Sequence, residues 1–206
     1  MLLYGPDHIR EILHIQTHPD QKPEPLTFLV SPSAFFQPNT KQAERLYSTA
    51  LQLLDIPEQS VVYDLYCGTG TLGICAARKA KQVLGIEISP ESSLDARTNA
   101  KNNGLDHVKI VTGAVRDAIA SIVKEQDFAL PDVVMVDPPR VGLDDDTIKH
   151  LVDLQPPKIL YISCNPATQA LNVGSLREMG YRIEAIQPVD QFPHTVHTEN
   201  IVVLSR

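Results

Sequence analysis

The sequence predicts an α/β fold, a mostly parallel sheet with helices on both faces. Three observations carry that prediction. From about Val61 onward, strand-like and helix-like runs alternate to the end of the chain. The central strand candidates are near-continuous apolar runs, as in strands buried on both faces. The residues with chemical character stand at or just past the ends of those runs, or in loops that can reach them. Right-handed crossovers bring such ends to one edge, where open α/β sheets bind their ligands.

The elements follow in order. Lys41 to Leu54 is an amphipathic helix leading into the sheet. Val61 to Tyr66 is the first strand, and Thr71 to Lys79 a short helix. Val83 to Ile88 is the second strand. The helix from Pro90 to Asn103 has Ser89 as N-cap, Pro90 in the first helical position and Gly104 just past its end. Val108 to Val111 is a strand and Val115 to Lys124 a helix. Asp132 to Asp137 is a strand stopped by two prolines, followed by a helix over Thr147 to Leu154. Lys158 to Ser163 is the fifth strand, and Thr168 to Met179 the last helix. Tyr181 to Ile186 and Ile201 to Leu204 complete a seven-stranded sheet as a C-terminal antiparallel hairpin. Pro19, Pro23 and Pro25 break up the first forty residues, where only Leu26 to Val30 reads as a strand. The expected division is an N-terminal segment over residues 1–40 and a sheet domain over residues 41–206.

The 206 residues, 43% hydrophobic and 21% charged, fit an ordinary globular protein. No run is long enough to span a membrane, and the N-terminus lacks the apolar core of a signal peptide, so a cytoplasmic protein is expected. Three cysteines, Cys67, Cys75 and Cys164, show neither CxxC spacing nor a disulfide framework. The net charge of −7 is unlike that of a domain that grips nucleic acid by itself.

Four motifs carry chemistry. In Asp64–Thr71, Gly68 and Gly70 permit a tight turn and close approach of a ligand, and Glu87 ends the next strand where a carboxylate can hold ribose hydroxyls. With Gly73 the spacing also satisfies GxGxxG, so spacing alone does not exclude a dinucleotide. The acid ahead of Cys67-Gly68, the short helix and the fourth-strand motif favour S-adenosylmethionine. That motif, Asp137-Pro138-Pro139-Arg140, fixes Asp137 at the ligand edge. Its fourth position is Arg140 rather than the aromatic of amino-group methyltransferases. Cys164 ends the fifth strand. Alone it reads as a small buried residue, but Asn165-Pro166 behind it imply a fixed loop, and the following helix directs its positive end towards the thiol. His194, His197 and Glu199 alternate on an extended segment with no evident fourth ligand. That pattern suits a carboxylate base better than a metal, and no metal is expected.

These motifs, together with Phe35-Phe-Gln37-Pro-Asn39, occur in the order seen in RNA (uracil-5-)-methyltransferases. The resemblance covers roughly residues 27 to 206. It implies the catalytic domain of a Rossmann-like class I S-adenosylmethionine-dependent methyltransferase, acting on ribosomal or transfer RNA, with Gln37 contributed from the N-terminal segment. By residue, Gln37, Tyr66, Glu87 and Asp137 match cofactor-contacting positions, beside Gly68 and Gly70 of the loop. Cys164 matches the nucleophile and Glu199 the general base. Thiolate addition at uracil C6 makes C5 nucleophilic, C5 takes the methyl group, and a base then removes the C5 proton. Arg140 is a candidate donor to the enolate oxygen. RNA cytosine-5 methyltransferases carry a further cysteine where Asp137-Pro-Pro-Arg stands. Family members often show Ala-Arg-Asp where this chain has Ala170-Leu171-Asn172, and some carry an N-terminal RNA-binding barrel and a four-cysteine cluster that do not fit ahead of residue 40. A cofactor-binding fragment without RNA activity is therefore the competing reading, with a small-substrate methyltransferase as a third.

Overall fold

In a computed structural model, the described residues are 7–125 and 129–206, so the first six residues of the N-terminal segment lie outside them. The chain opens with an antiparallel hairpin of β1 (Ile9–Ile15) and β2 (Glu24–Val30), followed by helix α1 (Thr40–Leu54). The sheet is built from β3 (Ser60–Leu65), β4 (Ala80–Glu87), β5 (Val108–Thr112), β6 (Val133–Val136), β7 (Lys158–Ser163), β8 (Arg182–Val189) and β9 (Glu199–Ser205). Its seven strands run in the order β5-β4-β3-β6-β7-β9-β8, parallel except for β9, which lies antiparallel between β7 and β8. The helices between strands are α2 (Thr71–Ala76), α3 (Pro90–Asn102), α4 (Val115–Glu125), α5 (Asp145–Asp153) and α6 (Pro166–Glu178). This is the mostly parallel seven-stranded sheet with a C-terminal antiparallel hairpin that the sequence predicts.

The sheet separates two cores, as double-sided burial requires. On one side α1, α2 and the N-terminal hairpin cover Val62, Val83, Met135 and Leu160. On the other, α4, α5 and α6 cover Tyr63, Leu84, Val134 and Tyr161. The chain leaves the central β3 first towards β4 and β5, then returns to β6 and β7. That reversal opens a crevice at the carboxyl ends of β3 and β6.

Several boundaries differ from the sequence expectation. The segment before residue 40 holds a full hairpin, not one isolated strand, and Leu13, Ile15, Leu26, Phe28 and Val30 share a core with the sheet. The prolines are harmless there: Pro19 and Pro23 fall in the connection and Pro25 lies near the start of β2. Helix α6 begins at Pro166, with Asn165 as its N-cap accepting from the Ala167 amide. Strand β9 begins at Glu199, so that carboxylate belongs to a strand end rather than to a loop.

The hairpin is held by its hydrogen-bonding edge. Asn103 pairs with the amide and carbonyl of Thr27 at 2.9 and 2.7 Å, Asn99 with those of Leu29 at 2.7 and 3.0 Å, and Asp95 with the Ser31 amide at 2.8 Å. Four helical residues rise about 6 Å and two strand residues about 6.6 Å, so every fourth side chain of α3 meets every second residue of the strand. An edge that would otherwise pair with another chain is thereby satisfied.

Candidate active site

The loop after β3 is shaped by backbone constraints. Tyr66, Gly68 and Gly70 have φ of 64°, 54° and 80°. Gly70 must be glycine: a Cβ there would also lie 3.1 Å from that of Ala96 and 3.2 Å from Ile74. Gly68 has open space above it, with nothing within 4 Å of a Cβ. The buried Asp64 carboxylate accepts from the Gly73 amide at 2.7 Å and staples α2 to the end of β3. A Cβ on Gly73 would lie 2.8 Å from that carboxylate, so its role is packing. Burial raises Asp64 to a pKa of about 7. Glu87, at the end of β4, accepts from the amides of Gly68 at 2.9 Å and Ser89 at 2.7 Å. The carboxylate and the open face of Gly68 therefore adjoin. The Tyr66 ring packs towards α5, with its hydroxyl against Thr147.

Asp137 follows β6 directly, and Cys164 follows β7, its parallel neighbour. Ser163 pairs with Asn200 across the antiparallel β7–β9 ladder, so the next step sets Cys164 opposite Glu199. The structure thus brings Asp137, Cys164 and Glu199 together at one end of the sheet. Glu199 is only 3% exposed, and no hydrogen bond reaches its carboxylate or that of Asp137 among the described residues. Neither carboxylate is sealed off, however, because the enclosed unpaired polar atom among those residues is Gln191 Oε1. Both acids stand open to the crevice.

Their electrostatics follow first from burial. Asp137 is raised to about 8 by burial, then by Glu199 and Asp64. Glu199 is raised by burial, against the pull of Arg140. The Cys164 thiol is also pushed up, first by burial and then by Glu199, with only Arg140 among the nearby side chains opposing. Partial burial and the two carboxylates thus work against the thiolate that the positive end of α6 favours. Arg140 is the counter-charge. Its carbonyl accepts from Asn165 Nδ2 at 3.0 Å and Thr168 Oγ1 at 3.1 Å, and its guanidinium reaches His197 Nδ1 at 3.5 Å. Asn172, at the departure from the family pattern, clamps the next turn through the Leu143 amide and carbonyl, at 2.9 Å each. One face of α6 therefore holds the loop that carries Arg140.

Gln37 is 5% exposed between β2 and α1, and its Oε1 accepts from Gln191 Nε2 at 3.2 Å. Gln191 lies in the β8–β9 loop, so Gln37 is tied to the segment that leads to Glu199. No group of three or more His, Cys, Asp or Glu side chains could hold a metal among the described residues. His194 and His197 are exposed and build no chelate with Glu199. No helix among these residues is long and apolar enough to cross a membrane.

Sequence reasoning missed Tyr47 and Gln191, and it named Asn172 only as a departure from the family pattern, without its partners. Tyr47 of α1 is buried with its phenol near Asp137 and Glu199, and burial and those charges raise it well above the ordinary range. In the sequence it reads as one apolar position of an amphipathic stripe. Asn172 and Gln191 carry no local signal; their partners are distant in the chain.

Comparisons with known proteins bear on family and fold. The profile of the family described as tRNA (Uracil-5-)-methyltransferase matches residues 2–206. An uncharacterized RNA methyltransferase of Protochlamydia amoebophila is 58% identical over 205 residues, covering 100% of this chain and 46% of that protein. One of Chlamydia pneumoniae is 38% identical over 206 residues, covering 100% and 50%. The chain therefore spans about half the length of these curated relatives. Among solved structures, the Pyrococcus abyssi tRNA (uracil-54, C5)-methyltransferase in complex with S-adenosyl-L-homocysteine superposes with a TM-score of 0.76 at 32% identity, over 98% of this chain and 45% of that one. Precorrin-6y C5,15-methyltransferase of Geobacter metallireducens, with a TM-score of 0.65 at 18% identity over 87% of this chain and 94% of that one, shares the fold. The chain belongs to the tRNA (uracil-5-)-methyltransferase family, on the Rossmann-like fold of S-adenosylmethionine-dependent methyltransferases.

Proposed function

We propose that this chain is the catalytic part of an RNA methyltransferase that transfers a methyl group from S-adenosylmethionine to C5 of a uridine in ribosomal or transfer RNA. The observation that carries the reading is the register that sets Glu199 opposite Cys164, beside Asp137 and under the charge of Arg140. A nucleophile and a base on opposite strands can work on adjacent carbons of one ring.

The crevice fits the cofactor by its donor and acceptor set. Glu87 offers a carboxylate to ribose hydroxyls, Ile88 beside it is an exposed apolar seat, and Gly68 leaves backbone room. Gln37 and Asp137 supply the polar end, and Tyr66 borders the loop. When bound, the cofactor supplies an electrophilic methyl on a positive sulfonium. Burial holds the Asp137 carboxyl and the Cys164 thiol above their ordinary ranges, so a positive charge bound beside them would favour their ionised forms.

Cys164 Sγ forms a bond to uracil C6, and the ring electrons move to C5 and the C4 oxygen. C5 would then take the methyl group from the bound cofactor, the S–CH3 bond breaking with its electron pair left on sulfur, so that S-adenosylhomocysteine departs. Glu199 takes the C5 proton, the C5–C6 double bond re-forms, and the C6–S bond breaks to release Cys164. The raised basicity of Glu199 suits it to that proton. Arg140 balances the charge developing between Cys164 and Glu199. The two other cysteines, Cys67 and Cys75, are buried with thiols raised by burial, and neither stands at the end of β6, which argues for uracil over cytosine.

The test is mass spectrometry of RNA incubated with the protein and labelled S-adenosylmethionine. Label at uridine C5 is expected; label on cytosine, or none with any RNA from full-length protein, overturns the reading. A second reading, a cofactor-binding portion that does not turn over RNA alone, is favoured by the −7 charge and the half-length coverage. S-adenosylhomocysteine binding by this chain, with turnover only in the full-length protein, would support it.

A further inference from the structure

The β8–β9 loop carries a buried amide that the chemistry above does not use. Gln191 is 0% exposed. Its Nε2 donates to Gln37 Oε1 at 3.2 Å and to the Asn39 carbonyl at 3.3 Å. Asn39 donates back from Nδ2 to the Gln191 carbonyl at 3.2 Å, while its Oδ1 caps α1. The Asn39 carbonyl fixes the polarity of this chain of amides. A carbonyl oxygen only accepts, so the Gln191 atom beside it must be the amide nitrogen. The same nitrogen faces Gln37, so the Gln37 atom there must be Oε1. Gln37 Nε2 is then the free end. It has no partner among the described residues, yet it is not enclosed as Gln191 Oε1 is.

That enclosed Oε1 matters. An acceptor buried without a donor destabilises the fold. A methionine of similar size would remove that unpaired acceptor, while leaving the Asn39 carbonyl and Gln37 Oε1 without their donor. A polar group kept at a cost in stability points to function rather than to folding.

We propose that Gln191 is a positioning residue. It locks the Gln37 amide with its N–H pair towards the crevice, so that Gln37 binds a hydrogen-bond acceptor on the cofactor, the carboxylate of its amino-acid end. A charged acceptor gives the strongest such bond. The inference rests on the reading of Gln37 as a cofactor contact.

Calorimetric titration with S-adenosylhomocysteine, together with thermal melts, tests it on four proteins: the unaltered chain, Gln191→Met, Gln37→Met and the double variant. Gln191→Met should weaken binding about tenfold, the scale of one oriented hydrogen bond. In the Gln37→Met background the same change should have no further effect, because Gln191 acts through Gln37. The melts check that each variant is fully folded at the titration temperature. Binding equal to that of the unaltered chain, or an equal loss in both backgrounds, would overturn the inference. If the unaltered chain itself does not bind, the cofactor reading fails and takes this inference with it.

Discussion

Two clusters of polar side chains lie in the folded interior, and they are built in opposite ways. Along the seam between α3 and β2, Asp95, Asn99 and Asn103 each meet a strand backbone group at ordinary distances. At the carboxyl edge of the sheet, Asp137 and Glu199 have no hydrogen-bond donor among the described residues; burial raises both, Glu199 raises Asp137 further, and the two raise Cys164. Paired groups fasten the fold. Unpaired groups, held in place by strands and helices, are left for something that enters. The difference separates stability from chemistry within a single chain, and mutations on each side should respond differently.

The largest contrast is in turnover. Cys164→Ala should lower RNA methylation by at least about a thousandfold, as loss of a nucleophile does, with little change in melting temperature. Glu199→Gln should instead trap a covalent RNA–protein adduct that survives denaturing electrophoresis. A Cys164→Ala protein with normal turnover would remove the nucleophile, and with it the division drawn here.

Asp137 tests the stability side of the same cluster. Its folded pKa of about 8 lies above the ordinary carboxylate value. The folded chain therefore holds more protons than the unfolded one between about pH 4 and pH 8, so stability falls as pH rises through that window. Asp137→Asn should remove the effect. The variant should melt several degrees higher than the unaltered chain at pH 8, by on the order of a few kcal/mol, and about the same at pH 4. It should also bind S-adenosylmethionine less tightly. A lower melting temperature at pH 8 would mean that the carboxylate is paired after all.

The seam should behave in the reverse sense. Asn103→Ala strands the amide and carbonyl of Thr27, at about 2 kcal/mol, or ~4–8 °C in a chain of this size. Binding of S-adenosylhomocysteine at temperatures well below the melt should not change. A loss of binding at full folding would show that the hairpin bears on the crevice, and the two regions would no longer be separable.

The two clusters were unequally legible in the sequence. The sheet was readable because buried parallel strands are apolar throughout, and Asp137, Cys164 and Glu87 were readable because they interrupt such runs at their ends. The seam was not. Asp95, Asn99 and Asn103 look like the polar face of a helix, and the strand partners that make them a seam lie some 70 residues earlier. The prolines of the first forty residues suggested irregular chain because their positions in a turn depend on a register that local pattern does not carry. Charge was partly legible. The residues of the site could be named, but the raised Cys164 thiol depends on how deeply three groups are packed together, which spacing along the chain does not encode.

Arg140 offers the smallest and most discriminating test of the charge balance. Among the described residues it is the side chain that lowers both Cys164 and Glu199, and α6 fixes its carbonyl through Asn165 and Thr168. Both reacting groups must lose protons to work, so the rate should rise with pH in the unaltered enzyme until both are ionised. Arg140→Met removes the opposing positive charge, and both groups should then hold their protons to higher pH. The whole profile should move towards alkali, with a loss of about tenfold on its rising limb that narrows towards the plateau. A loss of the same size at every pH would assign Arg140 to RNA binding or to the enolate oxygen instead. The shape of the profile, more than the size of the loss, decides whether the unpaired acids are tuned by this arginine.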